Sequence, residues 1–212
     1  MTDKNLIVDV VVVPDEKAIE SARRLGRALA KKYDCYFSLD NKTYIPHISV
    51  YQAQYPRKNM EVVRKYTAEV AAETTSFTVE VNPYQAHYTF MWWNLLQNPS
   101  LTDLHYKLLE KLNPSREGLL MPHLTPAGYK TGEKFTEEEA EAVRKHGTIV
   151  AGKLFKPHIT LARLKKVITD EELNKILSQT SATFKVSSIH MGKMADHGTV
   201  TDILETFDFK KQ

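Results

Sequence analysis

Apolar residues along this chain follow two periods in turn, and the switches between them mark its elements. Leu6 to Val13 is β-branched almost throughout, broken by Asp9 and ended by Pro14, and reads as a buried strand. From Asp15 to about Lys32 the positions Ala18, Ala22, Leu25 and Leu29 take helical spacing, while Arg23, Arg24, Arg27, Lys31 and Lys32 form a solvated surface on other faces. Tyr36 to Leu39 fits a short strand and Thr43 to about Tyr55 a longer one. Asn59 to Glu73 predicts a helix with Val63, Tyr66 and Val70 inward. Phe77 to Val81 alternates as a strand exposed on one face, punctuated by Asn82 and Pro83, and Tyr88 to Leu96 is aromatic enough for a central strand. Its two tryptophans fit core packing better than a shelf for stacking bases. Ser100 with Asp103 marks the start of a helix striped by Leu101, Leu104, Leu108 and Leu112.

Asn113 to about Ala151 is less regular, rich in proline and glycine, with a short charged helix from Thr136 that Glu139 completes as a capping box. This segment, 113–151, reads as an insertion or lid within one domain spanning 1–212. A strand from Leu154 to Arg163 follows. Thr169 with Glu172 then caps a helix, with Ile168 and Leu173 as its hydrophobic staple. Two strands close the chain, about Phe184 to Lys193 and Thr199 to Phe209, turning at Asp196 and Gly198. The elements describe an α+β protein.

Composition narrows the function more than the fold. At 212 residues the chain lies between one large domain and two small lobes, and 42% hydrophobic with 26% charged residues argues against disorder. Twenty-nine basic against 26 acidic residues leave +3, too little for a dedicated binder of long nucleic acid but no obstacle to a small anion. Cys35 alone excludes an internal disulfide and polycysteine zinc sites. The run Leu6 to Val13 is too short to span a membrane and has no basic leader, so a soluble cytoplasmic protein is expected.

The chemistry gathers on two strands. In Leu154 to Arg163, alternation sets His158 and Thr160 on one face above Pro157, Ile159 and Leu161 on the other. Upstream, Tyr44-Ile45-Pro46-His47-Ile48-Ser49-Val50-Tyr51 repeats the arrangement, with His47, Ser49 and Tyr51 sharing a face. The bare pattern His-x-Ser/Thr carries little, because six of the eight histidines satisfy it. A preceding proline and an intervening aliphatic leave three: His47, His123 and His158. His123 is followed by Thr125-Pro126 and then Gly128, which suits a loop, so His47 and His158 are the candidate pair. Strand alternation sets Arg163 opposite His158, away from a phosphate.

Pro46-His47-Ile48-Ser49 and Pro157-His158-Ile159-Thr160-Leu161-Ala162-Arg163, together with the order of elements, resemble the two-histidine phosphoesterases, which include the 2'-5' RNA ligase and cyclic phosphodiesterase group. The resemblance covers nearly the whole chain. It implies two pseudo-symmetric lobes, each an antiparallel sheet with helices outside, and a central cleft lined by the two His-x-Ser/Thr strands. It also implies attack on a cyclic phosphate or 2'-5' phosphodiester of an RNA end or nucleotide, without metal or other cofactor. One of His47 and His158 would act as base and the other as acid, with Ser49 and Thr160 donating to the phosphate and Tyr51 a further substrate contact. Imidazole suits both roles because its ordinary pKa lies near 6.5. By microscopic reversibility the same groups could ligate a 2',3'-cyclic end to a 5'-hydroxyl. Two readings from other classes remain: a module that binds a nucleotide or RNA end without turning it over, and a metal-dependent hydrolase. The second lacks a His-Glu-x-x-His or His-x-His motif to build on.

Overall fold

The computed structural model describes residues 4–40, 42–177 and 180–211. In chain order its elements are β1 (Asn5–Val12), α1 (Glu16–Ala30), β2 (Cys35–Ser38), β3 (Ile48–Pro56), α2 (Met60–Glu73), β4 (Phe77–His87), β5 (Phe90–Leu95), α3 (Pro99–Leu112), α4 (Glu137–His146), β6 (His158–Leu164), α5 (Asp170–Ile176), β7 (Ala182–Val186), β8 (Ser188–Met194) and β9 (Val200–Asp208). The helix signals act as written. Asp15 caps α1, Thr136 and Thr169 make full capping boxes on α4 and α5, and the α1 stripe Ala18, Ala22, Leu25 and Leu29 is buried. α3 starts slightly earlier than Ser100 suggests, because the Asn98 side chain accepts the Leu101 N–H at 3.0 Å and Pro99 takes the first turn. Gly26 is required on α1: a Cβ there would come within 2.8 Å of the Leu39 backbone just past β2.

The strands form one antiparallel sheet in the order β7-β4-β5-β6-β3-β1-β8-β9, with β2 also paired to β6. It divides into two halves of four strands, β3-β1-β8-β9 and β6-β5-β4-β7, joined where Ile48 pairs with Ile159. Helices α2 and α3 pack behind the first half, α1 and α5 behind the second. A single hydrophobic core runs through both. The sheet is curled so far that the ends of the strand order meet. Ser187 alone separates β7 from β8, and Thr75 bridges Lys210 beside the stacked rings of Phe77 and Phe209.

Two expectations change. The single strand predicted from Phe184 to Lys193 is two, since β7 pairs with β4 in one half and β8 with β1 in the other. Alternation records which residues are inward but not which partner an edge finds. Conversely, β4 runs through Asn82 and Pro83, because the register shift between Val81 and Tyr84 accommodates a residue that has no N–H to give.

The segment 113–151 leaves α3 behind the first half and wraps to its concave side. There Met121, Leu124 and Val143 form a small second core with Ile7 of β1 and Met194 of β8. Its anchor is Arg116, 5% exposed, whose guanidinium donates to the Asn113 side chain and to the carbonyls of Leu119, Arg144 and Lys145. The last two are unsatisfied C-terminal carbonyls of α4.

Candidate active site

The pairing of Ile48 with Ile159 sets the geometry of the cleft. In an antiparallel pair the neighbours of such a position face each other in reverse order, so His47 lies opposite Thr160 and Ser49 opposite His158. Both isoleucines are buried in the common core, and the two imidazoles and two hydroxyls occupy the other face. The halves are thus related by a local two-fold through the isoleucine pair. His47 and Thr160 share the wall of a small cavity with Phe37, Tyr44 and Thr199.

Each half carries the same irregularity just beyond its hydroxyl. Between β1 and β3, Val10 pairs with Tyr51 but Val11 with Ser49, leaving Val50 as the extra residue of a bulge. Between β5 and β6, Met91 pairs with Ala162 and Trp92 with Thr160, leaving Leu161 extra. A bulge resets the alternation. Val50 and Tyr51 are both buried, as are Leu161 and Ala162, and the face that strict alternation assigns is inverted beyond them. Tyr51 accordingly does not share a face with His47 and Ser49. Its hydroxyl lies on the core side, 3.3 Å from Asn113 Oδ1 and 3.2 Å from the His146 carbonyl. Arg163 moves the other way, onto the face of His158 and Thr160, paired across β5 with Phe90. Its guanidinium lies 4.8 Å from the Phe90 ring centroid and 5.2 Å from that of Tyr36, and donates to His197 Nδ1 at 2.7 Å. The position equivalent to Arg163 in the first half is Gln52.

Both cleft imidazoles are fixed in one tautomer. His47 Nδ1 donates to the Ile45 carbonyl at 2.8 Å and His158 Nδ1 to the Lys156 carbonyl at 2.7 Å, so each turns Nε2 to the cleft as its working nitrogen. Burial pushes both pKa values down. For His47 the bond to Ile45 opposes this. His158 falls to about 4, where the bond to Lys156 is outweighed by burial together with the nearby His47 and His87. Trp92 stacks on His158 with centroids 3.9 Å apart, and His87 stacks on the far face of Trp92 at 4.1 Å. Of the two tryptophans only Trp93 belongs to the common core; Trp92 orients His158.

The residue that sequence reading passed over is Asp9. It is fully buried on β1, paired with Gln52 across β3, and accepts the Ser49 hydroxyl at 2.6 Å; the same Oδ2 lies 3.8 Å from His47 Nε2. Burial raises its carboxyl to about 7 against the pull of the Ser49 hydrogen bond. The signal was available: a lone carboxylate inside a run of valines has to be bonded, neutral or functional. Thr160, the counterpart of Ser49, makes no hydrogen bond among the described residues.

His123 sits on an exposed turn of 113–151 rather than on a strand, beside Tyr129. Partial desolvation by the surrounding loop, then the charges of Lys130 and Arg163, hold its imidazole below the ordinary range although its edge is open to solvent. Among the described residues no three His, Cys, Asp or Glu side chains converge to hold a metal ion, and no helix is long and apolar enough to cross a membrane.

No protein-family model matches the chain, and no curated protein matches it in sequence. Solved structures do match in shape. TT0787 of Thermus thermophilus superimposes with a TM-score of 0.63 at 14% identity, covering 98% of this chain and 100% of that one. LigT of Escherichia coli in its apo form gives 0.61 at 11%, covering 99% and 100%, and LigT has also been solved complexed with phosphate, NADP+, ATP and 3'-AMP. A protein described as a phosphoesterase gives 0.61 at 13%, covering 97% and 99%. Likeness over the full length of both chains at such low identity establishes the architecture: this chain has the fold of LigT and TT0787, two strand-and-helix halves joined at the cleft that holds His47 and His158.

Proposed function

We propose that the cleft is the active site of a two-histidine phosphoesterase, opening a 2',3'-cyclic phosphate or cleaving a 2'-5' phosphodiester on an RNA end or nucleotide. The observation that carries this reading is the square of His47, Thr160, Ser49 and His158 around the Ile48–Ile159 pair, with both Nε2 atoms presented by the same hydrogen bond to the residue two positions back. One imidazole takes a proton from water as its oxygen bonds to phosphorus. The other gives a proton to the departing ribose oxygen. Thr160 offers its hydroxyl to a non-bridging oxygen as charge builds there, and Arg163 adds a fixed positive charge on the same face; Ser49, from the opposite strand, would have to turn its one proton away from Asp9 to do the same. A phosphate-bearing nucleotide is the ligand class, in keeping with the phosphate and 3'-AMP complexes of LigT. The reading needs no metal or cofactor, and the protein is taken to work in the cytoplasm.

The test is hydrolysis of the four 2',3'-cyclic nucleoside monophosphates, in chelator, by wild type and three variants. His47→Ala and His158→Ala should each lose about a hundredfold or more, the scale of a positioned acid or base, while His123→Ala should change little. Wild type that binds these nucleotides but turns over none would establish the binding-module reading instead.

A further inference from the structure

The two halves of the cleft differ at the strand next to each histidine strand. The cleft-facing position of the neighbouring strand, paired with the residue after the bulge, is Phe90 in the second half and Asp9 in the first. We propose that Asp9 is a positioning residue that gives the two imidazoles different roles: its carboxylate keeps the proton on His47, making His47 the general acid and leaving His158 the general base.

The inference rests on the paired-histidine reading above and assigns roles that reading leaves open. Asp9 Oδ2 lies 3.8 Å from His47 Nε2, and its Oδ1 is buried without a hydrogen-bond partner. The 2.6 Å approach of the Ser49 hydroxyl is the length expected of a hydroxyl donating to an ionised carboxylate. Among the described residues His158 has no carboxylate neighbour. Its surroundings are Trp92, the Lys156 carbonyl and the imidazoles of His47 and His87; the carbonyl favours a charge on His158, but burial, largest, and the two imidazoles outweigh it. Burial alone would drive Asp9 and His47 to neutrality, but one proton placed on His47 leaves two opposite charges that satisfy each other.

The remaining groups around Asp9 do not compete. From β3, Tyr55 is buried and its phenol is pushed up by burial, so it stays neutral; Gln52 carries no charge. From β8, Gly192 stands opposite, and His190, two positions along and paired with Val11, is engaged with Thr206 and Ser188, burial holding it below its ordinary range. Across the cleft, β6 contributes Thr160 and His158. Arg116 is fixed on backbone carbonyls of 113–151, and among the described residues no lysine or arginine pairs with Asp9.

In the step, His158 Nε2 takes a proton from water, the water oxygen bonds to phosphorus, the bond from phosphorus to the ribose oxygen breaks, and that oxygen receives the proton from His47 Nε2. Asp9 stays ionised throughout. The cycle ends with the proton on His158 and returns to its start through solvent.

Two measurements test this. The rate–pH profile of Asp9→Asn, an isosteric change that removes only the charge, should show its alkaline limb moved down by about one unit or more, the effect of losing an opposite charge at this range. In wild type, nuclear magnetic resonance titration of the imidazoles should place His47 above His158, and Asp9→Asn should lower His47 alone. An alkaline limb unmoved in a folded Asp9→Asn protein, or His158 titrating at or above His47 in wild type, would overturn the assignment. Should Asp9→Asn fail to fold, the wild-type titration order decides. Should wild type hydrolyse no cyclic nucleotide, the functional reading fails separately, and the titration still decides whether Asp9 charges His47.

Discussion

At the scale of single residues, chemically alike side chains have been given different tasks by their neighbours. Ser49 and Thr160 occupy matching positions, yet Ser49 is bonded to Asp9 while Thr160 is free to donate. Thr160→Ala should therefore lower kcat on a cyclic nucleotide with the alkaline limb in place. Ser49→Ala should shift that limb downward, because an Asp9 carboxylate without its hydroxyl donor is harder to ionise; the two profiles side by side check this. Histidines divide in the same way. His105 is fully buried, donates from Nδ1 to the Val50 carbonyl at 2.6 Å and accepts the Gly152 N–H at 2.9 Å, so it is a structural residue held neutral, its pKa lowered by burial to about 4. A histidine whose folded pKa lies below its unfolded value near 6.5 contributes stability fully above that value, and the contribution is lost as pH falls toward 4. The loss should reach roughly 3 kcal/mol by about pH 4. Urea denaturation of wild type and His105→Gln between pH 7 and 4 should show the variant less stable at neutral pH and less sensitive to acid.

At the scale of elements, the bulges decide which side chains the cleft receives. The same sequence distance that would put Tyr51 beside Ser49 and Arg163 behind His158 in a regular strand does the reverse once Val50 and Leu161 are unpaired. His105 from α3 holds the first bulge through the Val50 carbonyl, so a helix behind the sheet controls the cleft face in front of it. Within the 113–151 segment, Arg116 ties the two ends together. Replacing Arg116 with Met would leave the Leu119 and Arg144 carbonyls without their donor and the Lys145 carbonyl with the Asn113 amide alone, at a cost of about 2 to 4 kcal/mol. Limited proteolysis of Arg116→Met should cut between 119 and 135 before the rest of the chain, and cleavage elsewhere first would contradict the anchor.

At the scale of the molecule, two similar halves share one core and are joined at the strand pair that carries the proposed site. Because β7 passes into β8 across Ser187, each half is completed by chain from the far end of the sequence. Neither can be removed without exposing the core of the other. Both tryptophans belong to β5, in the second half, so their fluorescence reports that half while far-UV circular dichroism reports both. The two signals should follow one unfolding curve in urea. Fluorescence lost at a separate midpoint would show that the halves are independent.

Local chemistry is what the chain settled before any strand found its partner. Capping residues fixed the helix starts at Asp15, Thr136 and Thr169, periodicity separated strands from helices, and the two proline-histidine-aliphatic-hydroxyl runs marked the cleft strands, because each of these depends on contacts within a few positions. The tertiary structure decided what depends on a partner strand. It placed the bulges that took Tyr51 out of the cleft and brought Arg163 in, it divided the Phe184 to Lys193 run between two halves, and it set Asp9 within reach of His47, 38 positions further along the chain. Register is a property of two strands, so a period read along one of them is silent about it.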